Sequence, residues 1–188
     1  MSGIDLHIHG TENLDISFSV RRSTAQVNNP LQTWAASLDA TDRFGRPVSV
    51  ASARILHIPN ARFQTNVLEV LSDVSDNARA VAAALVTGHA IPKRLFTDGS
   101  GLLVIDSIRV DTEYRGHKLG HIIVRAAQDF LLEDGHGLTA LVPASMEDHT
   151  PLLPELTVRQ EAQAAKDISV FWRDMGFKKH GVCLVLTT

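Results

Sequence analysis

Cysteine is almost absent: Cys183 stands alone in 188 residues, so no internal disulfide can form. It lies in the apolar run Val182-Cys183-Leu184-Val185-Leu186 and reads as filling for a core strand, not as a nucleophile. Nowhere do about 18 uninterrupted apolar residues occur, the length a membrane-spanning helix needs. The start Met1-Ser2-Gly3-Ile4-Asp5 has neither the basic end nor the apolar stretch of a signal peptide, so the expectation is a cytoplasmic protein without a membrane partner. An excess of positive charge is missing too. Eighteen Lys and Arg against 21 Asp and Glu leave a formal net charge of −3, and the basic residues are scattered, which argues against nucleic acid as a partner and suits a cationic or neutral substrate. There is no internal repeat, low-complexity tract or linker. The stretches around Asn29-Pro30, Ile91-Pro92 and Pro143 to Pro154 read as loops within one domain spanning 1–188.

What is present is a composition for a sizeable core, 44% apolar and 21% charged. Leu14 to Val20 alternates as a strand does, Pro47 to Ile58 reads as a second, and helical segments are expected between and after them. Val67, Leu71, Val74, Ala78, Val81 and Leu85 recur in steps of four and three, one apolar helix stripe, with Asp73, Ser75, Asp76 and Asn77 able to divide it into two helices. Leu102 to Val110 is apolar on both faces at first, as in a central strand covered on each side, and Asp106 within it needs an explanation. Leu119, Ile122, Ile123, Ala126, Ala127, Phe130 and Leu131 form the clearest helix, stopping at Glu133-Asp134-Gly135. Leu138 to Val142 makes a strand, Val158, Ala162, Ala165, Ile168, Trp172 and Met175 a helix ended by Gly176, and Phe177 onward a closing strand.

The junction between the central strand and the clearest helix carries the chemistry. It reads Val110-Asp111-Thr112-Glu113-Tyr114-Arg115-Gly116-His117-Lys118-Leu119-Gly120. The first N–H groups of a helix have no internal partner and sit at the positive end of its dipole, so they can bind a pyrophosphate; glycines allow close approach, and Arg115 and Lys118 add charge. Neither the GxGxxG spacing after a first strand nor a Gly-Lys-Ser/Thr ending is present, so the pyrophosphate is not that of a dinucleotide or a magnesium-bound triphosphate. The stretch resembles the acetyl-CoA loop of the GNAT N-acetyltransferase superfamily, commonly Arg-Gly-x-Gly-x-Gly after a strand ending in Val-Asp-x-x-Tyr. About fifty residues on, Phe171-Trp172-Arg173-Asp174-Met175-Gly176-Phe177 is similar to the family's Leu-Tyr-x-x-x-Gly-Phe. The resemblance covers roughly Leu102 to Leu186; Met1 to Ser100 matches only in general element order.

The resemblance implies a mixed α/β fold: one twisted, mostly antiparallel sheet, splayed in the middle, with helices on both faces, 1–100 as the acceptor side and 101–188 as the acetyl-CoA-binding half. It implies a donor site of Ile108, Arg109 and Val110 on the strand and Arg115, Gly116, His117, Lys118, Leu119, Gly120 and His121 after it. The amine of a small molecule or peptide would attack the thioester directly while a backbone N–H near Val110 holds the oxyanion. Such folds often dimerise. Two positions depart from the pattern. Lys118 replaces the middle glycine of the loop, and Trp172 stands where many members carry a tyrosine that protonates the leaving thiolate, which an indole cannot do. Trp172 is accordingly the candidate catalytic position to test, and these departures motivate the rival reading, a non-catalytic acyl-CoA-binding sensor or scaffold.

Asp106 stands where family members often have an acidic base; the alternative is a structural carboxylate paired with Arg109 or a backbone N–H. Glu147, Asp148 and His149 are weaker candidates for the base. His117 and His121, four apart on one helix face, have the spacing of a zinc pair but no third ligand, and His7 and His9 lack one as well, so no metal is expected. Trp34 and Trp172 could line an acceptor pocket, though isolated tryptophans at helical positions usually fill cores.

Overall fold

Strands of small apolar and polar residues in alternation dominate the first third of the chain, where the computed structural model places four consecutive antiparallel strands. The structure describes residues 4–7, 15–22, 31–41, 44–59, 66–87, 101–132, 136–143 and 158–188. The elements are β1 (Ile4–His7), β2 (Asp15–Arg22), β3 (Gln32–Thr41), β4 (Pro47–Ile58), α1 (Asn66–Ser72), α2 (Asp76–Thr87), β5 (Gly101–Val110), α3 (Leu119–Leu131), β6 (Gly137–Leu141), α4 (Val158–Asp174), β7 (Lys178–His180) and β8 (Cys183–Thr187). All strands join one sheet in the order β1-β2-β3-β4-β5-β6-β8-β7, antiparallel except for the parallel pair β5 and β6. The mixed, mostly antiparallel α/β fold expected from the sequence is the fold observed. His9, Asn29-Pro30, Ile91-Pro92, Glu133 to Gly135, and Glu147, Asp148 and His149 lie outside the described residues.

Between β2 and β4 the sequence predicts a helical segment, and the structure has the strand β3 instead. Its Ala and Leu content favours helix, but Ala36, Leu38 and Ala40 recur at every second position and all three are buried. With β2 and β4 on its two edges, sheet pairing overrides helix propensity. Trp34 therefore lies on a strand, its ring meeting Phe130 of α3 edge-on at 6.0 Å. The closing segment is two strands, a hairpin turning at Gly181.

A core lies on each face of the sheet. On one, α3 and α4 cover Leu38, Ala53, Ile55, Leu103, Ile105, Leu141 and Leu184; on the other, α1 and α2 cover Leu56, Ile58, Leu102, Val104, Leu138, Ala140 and Val185. The stripe Val67, Leu71, Ala78, Val81, Leu85, with Val74 partly buried, faces the second core, and the chain does divide into two helices within it. Ser75 is the reason: its Oγ accepts the Ala78 amide at 3.0 Å and starts α2 afresh. Cys183 fills the same core, its thiol pushed up to about 11 by burial and therefore unreactive. His57 is buried opposite Leu103, 6% exposed, with Nδ1 unpartnered among the described residues; burial lowers its pKa to about 4.

Register explains Asp106. Arg54 pairs with Ser107 and Ile55 with Ile105, so Asp106 is the extra residue of a β-bulge in β5. The ladder between β5 and β6 ends one residue earlier, at Ile105 and Leu141. From Asp106 to Val110, β5 keeps β4 on one side and has no strand on the other among the described residues.

Candidate functional site

The unpaired edge points its peptide groups outward. The Asp111 amide donates to the Val50 carbonyl at 2.9 Å, so residues 109 and 111 turn their peptide groups towards β4. Residues 108 and 110 then turn theirs away from β4, to the open side. Arg115 Nε reaches the Val110 carbonyl from that side at 3.5 Å, and the Ile108 and Val110 N–H groups are left facing outward.

This edge runs into the loop. Asp111 caps a 3-10 turn, Thr112–Tyr114, by accepting the Glu113 amide at 3.4 Å, and the half-buried Tyr114 packs against the core below. Gly116 then takes φ +88°, a conformation costly for other residues, with open space where a side chain would begin. Lys118, the N-cap of α3, is left-handed at φ 56°, the only described non-glycine with positive φ, and makes no side-chain cap. Its backbone holds the shape a glycine would hold while its ammonium stays exposed beside the helix start. The His121 and Ile122 amides bond to the Lys118 carbonyl at 2.9 and 3.2 Å. Among the described residues the Leu119 and Gly120 amides have no acceptor, so the helix start is an uncapped pair of donors. His117 is exposed and precedes α3, so it does not share a helix face with His121 as the spacing suggested.

The second motif meets the first here. The α4 helix ends in a Schellman turn: the Gly176 amide bonds to the Arg173 carbonyl at 2.9 Å and the Phe177 amide to the Trp172 carbonyl at 3.4 Å, with Gly176 at φ +101°. The hydrophobic contact that accompanies such a turn is Trp172 on Phe177, ring centroids 5.7 Å apart. The spacing Trp-x-x-x-Gly-Phe is thus the spacing of this cap. A Cβ on Gly120 would lie 3.4 Å from both Phe171 Cε1 and Trp172 Cη2, so the glycine lets the start of α3 rest on these rings. The Met175 amide turns to the Trp172 carbonyl, and the Phe171 carbonyl receives His121 Nε2 at 2.9 Å instead. His121 also lies on the Phe171 ring, centroids 3.9 Å apart. Burial, and after it the Lys118 charge, lower its pKa against the opposing pull of the Phe171 bond and Asp174.

Two candidates from the sequence change meaning. Trp172 is 1% exposed and enclosed by His121, Phe171 and Phe177, so it presents no surface to a leaving thiolate and acts as packing. Asp106 is 4% exposed and both its carboxylate oxygens are engaged, Oδ1 by the Ser75 hydroxyl and Oδ2 by Arg54 Nη1 at 3.2 Å. Asn77 Nδ2 donates to its carbonyl at 2.7 Å. The structural alternative for Asp106 has its partner in Arg54, not in Arg109. Arg54, Ser75 and Asn77 were not among the sequence candidates. Ser75 had a signal, as a cap residue inside an interrupted stripe, but only the bulge brings the three to one carboxylate.

Among the described residues no helix is long and apolar enough to cross a membrane, and no three His, Cys, Asp or Glu side chains gather as metal ligands would. Comparison with protein-family profiles, curated proteins and solved structures finds no match for this chain.

Proposed function

We propose that the protein is an acetyl-CoA-dependent N-acetyltransferase acting on a primary amine. The observation that carries this reading is the continuity of two sets of donors without acceptors among the described residues: the β5 edge at Ile108 and Val110 leads straight into the uncapped start of α3, flanked by Arg115 and Lys118. An extended arm with amide groups can pair with the edge as a further strand would, while its pyrophosphate meets the Leu119 and Gly120 amides and the two cations. The loop's likeness to the GNAT acetyl-CoA loop supports the same ligand.

In the reaction the neutral amine adds to the thioester carbonyl, whose oxygen takes the Val110 N–H as the C–N bond forms. The C–S bond then breaks, one of the two amine protons is lost to water, and one proton goes to the thiolate, giving N-acetyl product and CoA thiol. With Asp106 doubly engaged, its role is to hold the bulge that ends the β6 ladder, a positioning role; water at the exposed face is the proton acceptor.

The second reading, an acyl-CoA-binding module without catalysis, is favoured by one observation, the burial of Trp172 where an acid is wanted. Isothermal titration with acetyl-CoA and CoA tests the donor site. Binding is expected for the wild type, weakening at least tenfold in the Arg115→Glu/Lys118→Glu double variant. A thiol-release assay with a panel of amines follows: turnover supports transfer, binding without turnover supports the module, and no binding rejects both.

A further inference from the structure

The α3 side of the unpaired edge is the more covered one, with Val110 only partly buried on it. Ile108 is buried there and belongs to the same cluster as Leu119 and Trp172. A molecule approaching a group laid along the edge has the more open way in from the other face. On that face the start of α2 reaches only as far as Asp106, through Ser75 and Asn77. Past it, β5 shows Ser107 and Arg109. The pairs Ala53–Ile108 and Ala51–Val110 point to the α3 side, so Arg109 and its directly opposite partner Ser52 point to this one.

Arg109 and Ser52 are both exposed, and among the described residues neither side chain has a hydrogen-bonding or charged partner. Of the neighbouring charges, Arg54 and Asp106 neutralise each other, Asp76 is paired with Arg79, Asp111 turns into its own 3-10 turn, and Asp39 lies on β3, one strand beyond Ser52. What remains beside Val110 is an unpaired guanidinium, facing a hydroxyl across adjacent strands. A planar fork of donors next to a hydroxyl suits a carboxylate. It repels a second cation.

Resting on the acetyltransferase reading, we propose that the acceptor is an amine that carries a carboxylate on the carbon next to its nitrogen, an α-amino acid or the free end of a short peptide of that chemistry, and that Arg109, assisted by Ser52, holds the carboxylate. The side chain of Arg109 emerges one residue before the Val110 N–H. An α-carboxylate held there leaves the amine, two bonds away, turned towards the edge. The local charge thus selects an anionic group although the chain as a whole is acidic at −3, because recognition depends on the charge within a few ångströms and not on the sum.

The test is the ratio of kcat/KM for an amino acid to that for its decarboxylated amine, alanine against ethylamine and phenylalanine against phenethylamine, in the wild type, Arg109→Gln and Arg109→Lys. In the wild type the amino acids are expected to lead. Arg109→Gln lowers the ratio about ten- to hundredfold through KM for the amino acid, the size of a hydrogen-bonded charge contact, and Arg109→Lys restores part of it. Ethylamine and phenethylamine preferred by the wild type, a ratio unmoved by Arg109→Gln, or no turnover of any amino acid by a protein that binds acetyl-CoA each overturn the inference. Absence of acetyl-CoA binding, read separately by titration, instead rejects the reading beneath it.

Discussion

The two halves of β5 do different work with the same backbone. From Gly101 to Ile105 the strand is paired on both edges, and Leu102, Leu103, Val104 and Ile105 are buried on both faces. From Asp106 to Val110 it is paired on one edge, and its side chains alternate between buried Ile108 and exposed Arg109. The first half has spent its hydrogen bonds and its surface on the fold; the second keeps N–H donors and a charged face for something outside it. The bulge at Asp106 separates them, and a carboxylate there, tied to Arg54 and Ser75, ends the buried run without leaving an uncompensated charge.

The sharpest way to break this contrast is to damage the paired half and ask whether the open half notices. Leu103→Ala, fully buried under α3, is expected to cost about 3 to 4 kcal/mol by urea unfolding, with acetyl-CoA affinity per folded molecule unchanged. A parallel loss of affinity would mean that the halves are one unit. Next in size is acid sensitivity in the paired half. His57 stays neutral when folded, with its pKa near 4 against 6.5 for the ordinary group. The unfolded chain therefore takes the proton first, so stability is complete above pH 6.5 and about 3 kcal/mol of it is lost as pH falls towards 4. Unfolding measured across that range should show the loss, and His57→Leu should flatten it. The smallest effect belongs to the loop. Lys118→Gly relieves a left-handed lysine and should raise stability by about 1 kcal/mol, yet weaken acetyl-CoA binding about fivefold by removing one exposed charge. Opposite signs in one variant would mark the residue as kept for binding; equal signs would refute that.

Much of this was legible in the residues because it is local. The three-and-four spacing of Val67 to Leu85 and of Leu119 to Leu131 found its helices, since a helix face is written within a few turns. Trp172 to Phe177 announced a helix end, and the physics of that end is a Schellman cap; reading it as a proton-donor position required a family habit that the burial of Trp172 does not follow. The strand β3 was not legible, because alanines and a leucine spaced by two fit a strand only once β2 and β4 lie beside them. Nor were the partners of Asp106, which come from 52 and 31 residues away.

By itself, then, the sequence determined the apolar periodicities, the turn residues and the cation-flanked junction from Val110 to Gly120, because propensity, capping and charge act over a few residues. Tertiary structure alone decided that, among the described residues, β5 loses its second neighbour after Ile105, that Trp172 is packing, and that the side chains of Arg109 and Ser52 face each other with no further partner. Register and burial arise from contacts between distant segments, and no local pattern carries them.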